Sequence, residues 1–154
     1  MKVVKRVVDC PSGFSFQATL AARSATDRVH TGCRVENHTD RDKHFRVPRL
    51  LVDTGSEYTY TWLPTSKLEA IGVAREKKDL RFVMANGQVI TRSVGFAVLR
   101  VDKHFTIDEV VFAEPGDLLL LGARTLEGLN LTVDNRRRQL VAAGPLPAAG
   151  NCRT

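Results

Sequence analysis

The stretch Leu50-Leu51-Val52-Asp53-Thr54-Gly55-Ser56 constrains this chain more than any other. Its apolar residues pin a strand in a core, and the strand delivers one carboxylate into a tight turn. Gly55 permits a turn that a Cβ would crowd, and it lets another backbone approach closely. Thr54 offers a hydroxyl that can hydrogen-bond across a two-fold axis, and Ser56 one that can hold the Asp53 rotamer.

One such carboxylate is chemically incomplete. It cannot both accept a proton from water and donate one to a carbonyl. Two carboxylates about 3 Å apart cannot both ionise, so a pair shares one proton and performs both tasks. The pKa values then belong to the pair. No second Asp-Thr-Gly or Asp-Ser-Gly occurs in the 154 residues. Asp79, Asp102, Asp108 and Asp117 lack the strand, turn and glycine setting. A two-lobed chain carrying both turns needs about twice this length. The missing half is expected from a symmetric homodimer that brings Asp53 against its own mate.

The rest of the chain reads as mostly β. Residues 80–85 and 88–94 alternate around Asn86-Gly87, the strongest short hairpin signal, in which both central residues take positive φ. Strands are expected at 3–8, 14–20, 45–52, 58–63 and 96–101. Two more are expected as a pair around 105–107 and 110–112. Residues 117–122 read as a buried strand ending in glycine, and 130–134 pairs with 139–141. Thr65 or Ser66 caps a short helix over 67–71 that Gly72 ends, and 123–129 has helical composition. Residues 22–43 carry nearly balanced charge and few large apolar side chains, which predicts an exposed insertion with a hairpin around 29–35. The tail, residues 142–154, is extended and proline-rich.

Composition bounds the function classes. The length suits a single domain spanning 1–154. The net charge of +6 aids solubility. It does not name a nucleic-acid partner, because no aromatic-interleaved basic motif accompanies it. No apolar run of membrane-spanning length exists, and Lys5 and Arg6 interrupt any signal-peptide core. Cys10, Cys33 and Cys152 are odd in number with no C-x-x-C pair, so reduced thiols in a cytoplasm are expected. His30, His38, His44 and His104 lack the spacing of a zinc site, and no metal or cofactor is expected. Tyr58, Tyr60 and Trp62 suit core packing or a substrate pocket, and Arg136-Arg137-Arg138 suits a solvated turn.

Three features in order resemble the retropepsin-like, retroviral-type aspartic proteases, and among them the small single-domain bacterial members. The first is Leu51-Val52-Asp53-Thr54-Gly55-Ser56-Glu57-Tyr58, followed by Leu63-Pro64 and a short helix. The second is the Asn86-Gly87 hairpin, where the family carries its substrate-covering flap. The third is Leu119-Leu120-Leu121-Gly122-Ala123-Arg124-Thr125-Leu126, apolar residues and a glycine leading into a helix. The resemblance covers roughly residues 14–141. It implies a closed β-barrel with one short C-terminal helix, dimeric, cleaving peptide bonds through water held between two Asp53 residues. It places Asp53, Thr54 and Gly55 in the catalytic turn, Ser56, Leu121 and Gly122 in support, and Met84, Ala85, Asn86 and Gly87 in the flap over an extended peptide. The alternative is a catalytically inactive peptide-binding module of the same fold. Residues 22–43 and 57–62 run longer than the family pattern.

Overall fold

The structure, a computed structural model, describes residues 28–53 and 59–146. The strands expected at 3–8 and 14–20, the turn residues Thr54, Gly55 and Ser56, Tyr58, and the tail beyond residue 146 lie outside the described residues.

Strands β1 (His30–Glu36) and β2 (His44–Val52) form an antiparallel hairpin. Its turn is organised by Asn37, whose Oδ1 accepts from the Thr39 N–H, the Thr39 hydroxyl and the Asp40 N–H. Next come β3 (Thr61–Pro64), helix α1 (Thr65–Ala70), β4 (Lys77–Val83), β5 (Val89–Val101), β6 (His104–Ala113) and β7 (Leu120–Leu121). Helix α2 (Ala123–Leu129) leads into the ribbon of β8 (Leu131–Asp134) and β9 (Gln139–Ala142). The seven-stranded sheet has the order β1-β2-β7-β3-β6-β5-β4 and is mixed: β2 with β7 and β3 with β6 are parallel. β1 also pairs with β5, Arg34 to Glu36 against Arg100 to Val98, so the hydrogen-bonded order returns on itself. The fold is mostly β.

The main core is built from these strands together with both helices. Val35, Leu50, Leu63, Leu68, Leu99, Val110, Phe112 and Leu121 are all fully buried and come from seven different elements. Each contributes about 1.5–3 kcal/mol by leaving water. A second, smaller cluster of Phe82, Val94 and Val111 lies under the β4–β5 hairpin, packed by Tyr60, Trp62, Leu80 and Ile90.

Several expectations are corrected. Residues 22–43 are not an exposed insertion throughout. Residues 30–36 form β1, with Cys33 and Val35 fully buried, while 38–43 form the exposed turn. The polar residues of β1 face out or are paired, as Glu36 is with Arg34 and Arg100. Among the described residues two short helices are present, at the two places read from composition, where the resemblance implies one. Thr65 does not cap α1: the N-cap is Pro64, and the Thr65 hydroxyl donates to the Ala113 carbonyl at 2.8 Å. The strands expected at 88–94 and 96–101 are one 13-residue strand, and those at 105–107 and 110–112 are one 10-residue strand. The strand expected over 117–122 has only two residues, because Asp117 turns back to bind Arg92 and Leu118 is exposed.

The Asn86-Gly87 hairpin forms, with a different turn from the one expected. Val83 pairs with Val89, Gly87 N–H donates to the Met84 carbonyl at 2.8 Å, and of the central residues only Gly87 has positive φ, +83°. This is the three-residue hairpin in which a glycine in the left-handed region follows the turn. Asn86 contributes its side chain, accepting from the Gln88 N–H.

Candidate active site

Strand β2 places Asp53. Leu51 and Val52 pair in parallel with Leu120 and Leu121, and the ladder continues through the acid: Asp53 N–H donates to the Leu121 carbonyl at 2.9 Å. On the other side Val52 N–H donates to the Val29 carbonyl at 2.9 Å. The backbone that presents the carboxylate is therefore fixed from both flanks. Asp53 has no exposed surface in the single chain. Burial of a carboxylate is costly unless its surroundings compensate.

Beneath the acid, Leu121 is fully buried and Gly122 makes the step from β7 into α2. Gly122 has an ordinary extended φ of −82°, so its role is steric. A Cβ there collides with the Thr59 carbonyl oxygen and the Tyr60 backbone. That close approach lets β3 satisfy the start of the helix. Gly122 N–H donates to Thr61 Oγ1 at 2.9 Å, and Ala123 N–H donates to Thr59 Oγ1 at 2.8 Å. The first N–H groups of a helix have no partner within it, and here two threonines of the neighbouring segment supply them.

A directed chain of hydroxyls continues from Gly122. Thr125 donates to Asp108 Oδ2 at 2.8 Å, so Thr61, 2.6 Å from Thr125, donates to the Thr125 oxygen while accepting from Gly122. Arg124 sits beside this chain, 3.7 Å from Asp108, 3.3 Å from Glu109, and 4.5 Å from the centre of the Tyr60 ring. Lys77 of β4 pairs with the other oxygen of Glu109. Burial pushes the Glu109 carboxyl up, and the hydrogen bond and charge of Lys77 with the charge of Arg124 more than offset it, leaving the pKa below its ordinary value.

The β4–β5 hairpin is held against β3 by aromatic contacts. Phe82 meets Tyr60 edge-on with centroids 5.8 Å apart and Trp62 at 5.2 Å. Tyr60 and Trp62 are half-buried in this cluster. At the tip Met84 and Ala85 are half-buried, and Asn86 and Gly87 are exposed. Of the residues singled out from the sequence, the structure joins Asp53, Leu121 and Gly122. It places Met84, Ala85, Asn86 and Gly87 at the tip of a hairpin whose body packs on β3.

Sequence reasoning missed Thr59, Thr61, Thr125, Asp108 and Arg124. Thr59 and Thr61 alternate within a β-rich stretch and read only as strand propensity. Asp108 enters the sequence argument only as an acid that lacks the setting of a second catalytic carboxylate, and it lies at the far end of the threonine chain. Among the described residues no group of three or more His, Cys, Asp or Glu could hold a metal ion, and no helix is long and apolar enough to cross a membrane. Comparison with known protein families, with curated proteins and with solved structures finds no match.

Proposed function

We propose that the chain is an aspartic endopeptidase of retropepsin-like fold, its strand circuit a closed barrel, active as a homodimer. The observation that carries this is the setting of Asp53. A buried carboxylate ends an apolar strand, with its N–H on the Leu121 carbonyl and a glycine turn into a helix beneath it. In the dimer, Asp53 and Asp53 of the partner subunit hold one water and share one proton. The ionised member takes a proton from water as its oxygen attacks the scissile carbonyl. The protonated member donates to the carbonyl oxygen. Collapse of the tetrahedral intermediate returns a proton to the leaving nitrogen. The resemblance assigns Thr54 and Gly55 to the catalytic turn and Ser56 to its support. The hairpin tip at Met84, Ala85, Asn86 and Gly87 covers an extended peptide that adds as a strand. The odd cysteine count and the Cys33 thiol fit a reducing cytoplasm.

The test is Asp53→Asn, assayed on an unstructured protein substrate with oligomeric state measured in parallel. Cleavage is expected to vanish while fold and dimer persist, and cleavage at the wild-type rate sinks the reading. A second reading, an inactive peptide-binding module, is favoured by the complete burial of Asp53 in the single chain. It predicts peptide binding without turnover anywhere between about pH 3 and 8, the span in which a shared-proton pair works.

A further inference from the structure

The outer face of the sheet carries a row of cations that the linear sequence does not reveal. Arg46 of β2 is the register partner of Arg34 of β1, Arg34 is the partner of Arg100 of β5, and Arg100 is the partner of Phe105 of β6. Cross-strand partners project on the same face, and neighbouring strands lie about 4.8 Å apart. Three arginines thus leave one face of three neighbouring strands that ends at an aromatic ring; Arg34 and Arg100 converge on Glu36, and the Arg46 guanidinium lies over Gly32. Arg41, from the β1–β2 turn, reaches the same ring: its guanidinium is 5.4 Å from the Phe105 centroid, and that of Arg100 is 4.8 Å away.

Like charges placed opposite one another work against the sheet that carries them. Among the described residues one carboxylate, Glu36, lies among these arginines, with Arg41 Nε 4.0 Å from its Oε2. Arg34 and Arg100 both bind its Oε1 through their Nε atoms, at 2.9 and 3.0 Å. A guanidinium has five N–H donors, so one shared oxygen orients two arginines without consuming their capacity. Phe105 is 51% exposed and Ile107, next on the same face, 55% exposed.

We propose that this face binds single-stranded nucleic acid. The guanidinium groups gathered around Glu36 and the Arg46 guanidinium over Gly32 offer two separate places for phosphates, and the Phe105 ring with its flanking guanidinium planes offers a stacking platform for bases. An acidic peptide engages the arginines and gains nothing from the ring. From the sequence the net charge names no nucleic-acid partner, for want of an aromatic-interleaved basic motif along the chain. The strand register assembles such a motif from residues 34, 46, 100 and 105. The inference stands apart from Asp53 and does not depend on the protease reading.

The experiment is fluorescence anisotropy of the full chain with labelled oligothymidylate and oligouridylate of about 16 nucleotides, the two arms separating DNA from RNA. Polyglutamate of matched charge is the competitor. Affinity is expected to fall linearly with salt on logarithmic axes. Arg41→Glu combined with Arg46→Glu, which leaves Glu36 with Arg34 and Arg100, is expected to weaken binding roughly tenfold or more and to lower the slope by about 0.7 for each phosphate no longer neutralised. Phe105→Ala is expected to weaken oligonucleotide binding roughly fivefold or more without affecting polyglutamate. Arg46→Gln alone serves if the double variant does not fold. Binding that ignores salt, variants that bind as wild type, or polyglutamate binding as tightly as either oligonucleotide overturns the proposal.

Discussion

The hydroxyls of Thr61 and Thr125 meet 2.6 Å apart in the buried space between β3 and α2. Their contact joins the backbone of the Gly122 step, just beneath Asp53, to Asp108 on β6. Thr61→Val removes the acceptor of the Gly122 N–H and leaves that donor unsatisfied, at a cost of about 1–3 kcal/mol. Thr125→Val severs the same chain one link further on. Denaturant unfolding of both single variants and the double is expected to give a coupling of at least about 0.5 kcal/mol. Strict additivity shows that the two hydroxyls act independently.

Gly122 and Gly87 have opposite requirements. Gly122→Ala drives a methyl into the Thr59 carbonyl and the Tyr60 backbone, which cannot swing aside as a side chain can. The expected loss is about 3 kcal/mol or more. At Gly87 a Cβ meets nothing within 4 Å, and the obstacle is the φ of +83° alone. Gly87→Ala is expected to cost about 1 kcal/mol. Thermal unfolding of the two variants ranks them, and the reverse order contradicts the steric account of Gly122.

Stability is expected to have an acid limb. Burial pushes the Glu36 carboxyl up, and the hydrogen bonds and charges of Arg100 and Arg34 more than offset this, so its pKa lies below the ordinary 4.5. Asp117 sits below its ordinary 3.8, with burial raising it and Arg92 and the Glu114 N–H lowering it further. A depressed folded-state pKa gives stability that is fully present above the unfolded value and is lost as pH falls through the folded one. Unfolding free energy is therefore expected to decline below about pH 4.5 as protons are taken up. Glu36→Gln flattens its share of that decline. A variant whose pH profile superimposes on the wild type shows that Glu36 carries none of it.

Cys33 is expected to be chemically silent in the folded protein. Burial pushes its thiol up to about 12, so almost none is thiolate at neutral pH, and the thiolate is the reactive form. Site-resolved mass spectrometry after treatment with a thiol reagent is expected to show Cys33 labelled only at the rate of structural opening. Rapid labelling under native conditions contradicts the buried placement of β1.

The parts legible in the sequence are those whose signal is local. Leu50 to Asp53 announces a buried strand by apolar run alone, and Asn86-Gly87 announces a hairpin by turn chemistry. β1 was hidden because its buried face consists of the small residues Cys33 and Val35. Its Glu36 is neutralised by Arg100, which is 64 residues away. Gly95 read as a break, yet β5 runs through it, since the Ala74 carbonyl and the Phe112 ring crowd that point and leave no room for a side chain. Thr59, Thr61 and Thr125 gave no sign of their role. A threonine that caps another element's helix looks the same in sequence as one that merely favours a strand. The partnership depends on β3 and α2 meeting, and that follows from the antiparallel pairing of β3 with β7, Trp62 against Leu120.

The pairing of β1 with β5 has a consequence for how the chain reaches this state. Arg34, Val35 and Glu36 find their last partners at Arg100, Leu99 and Val98, so the circuit shuts only after more than half of the described sequence has been laid down. Contacts of such long range carry a loop-closure cost before they return any burial, which slows folding. During synthesis β1 and β2 emerge before β5, β6 and β7, which supply much of the described core around Val35 and Leu50. The circuit also needs β6 and β7, which follow β5 in the chain, and substitutions at Val98 or Leu99 are expected to slow refolding as well as destabilise the product.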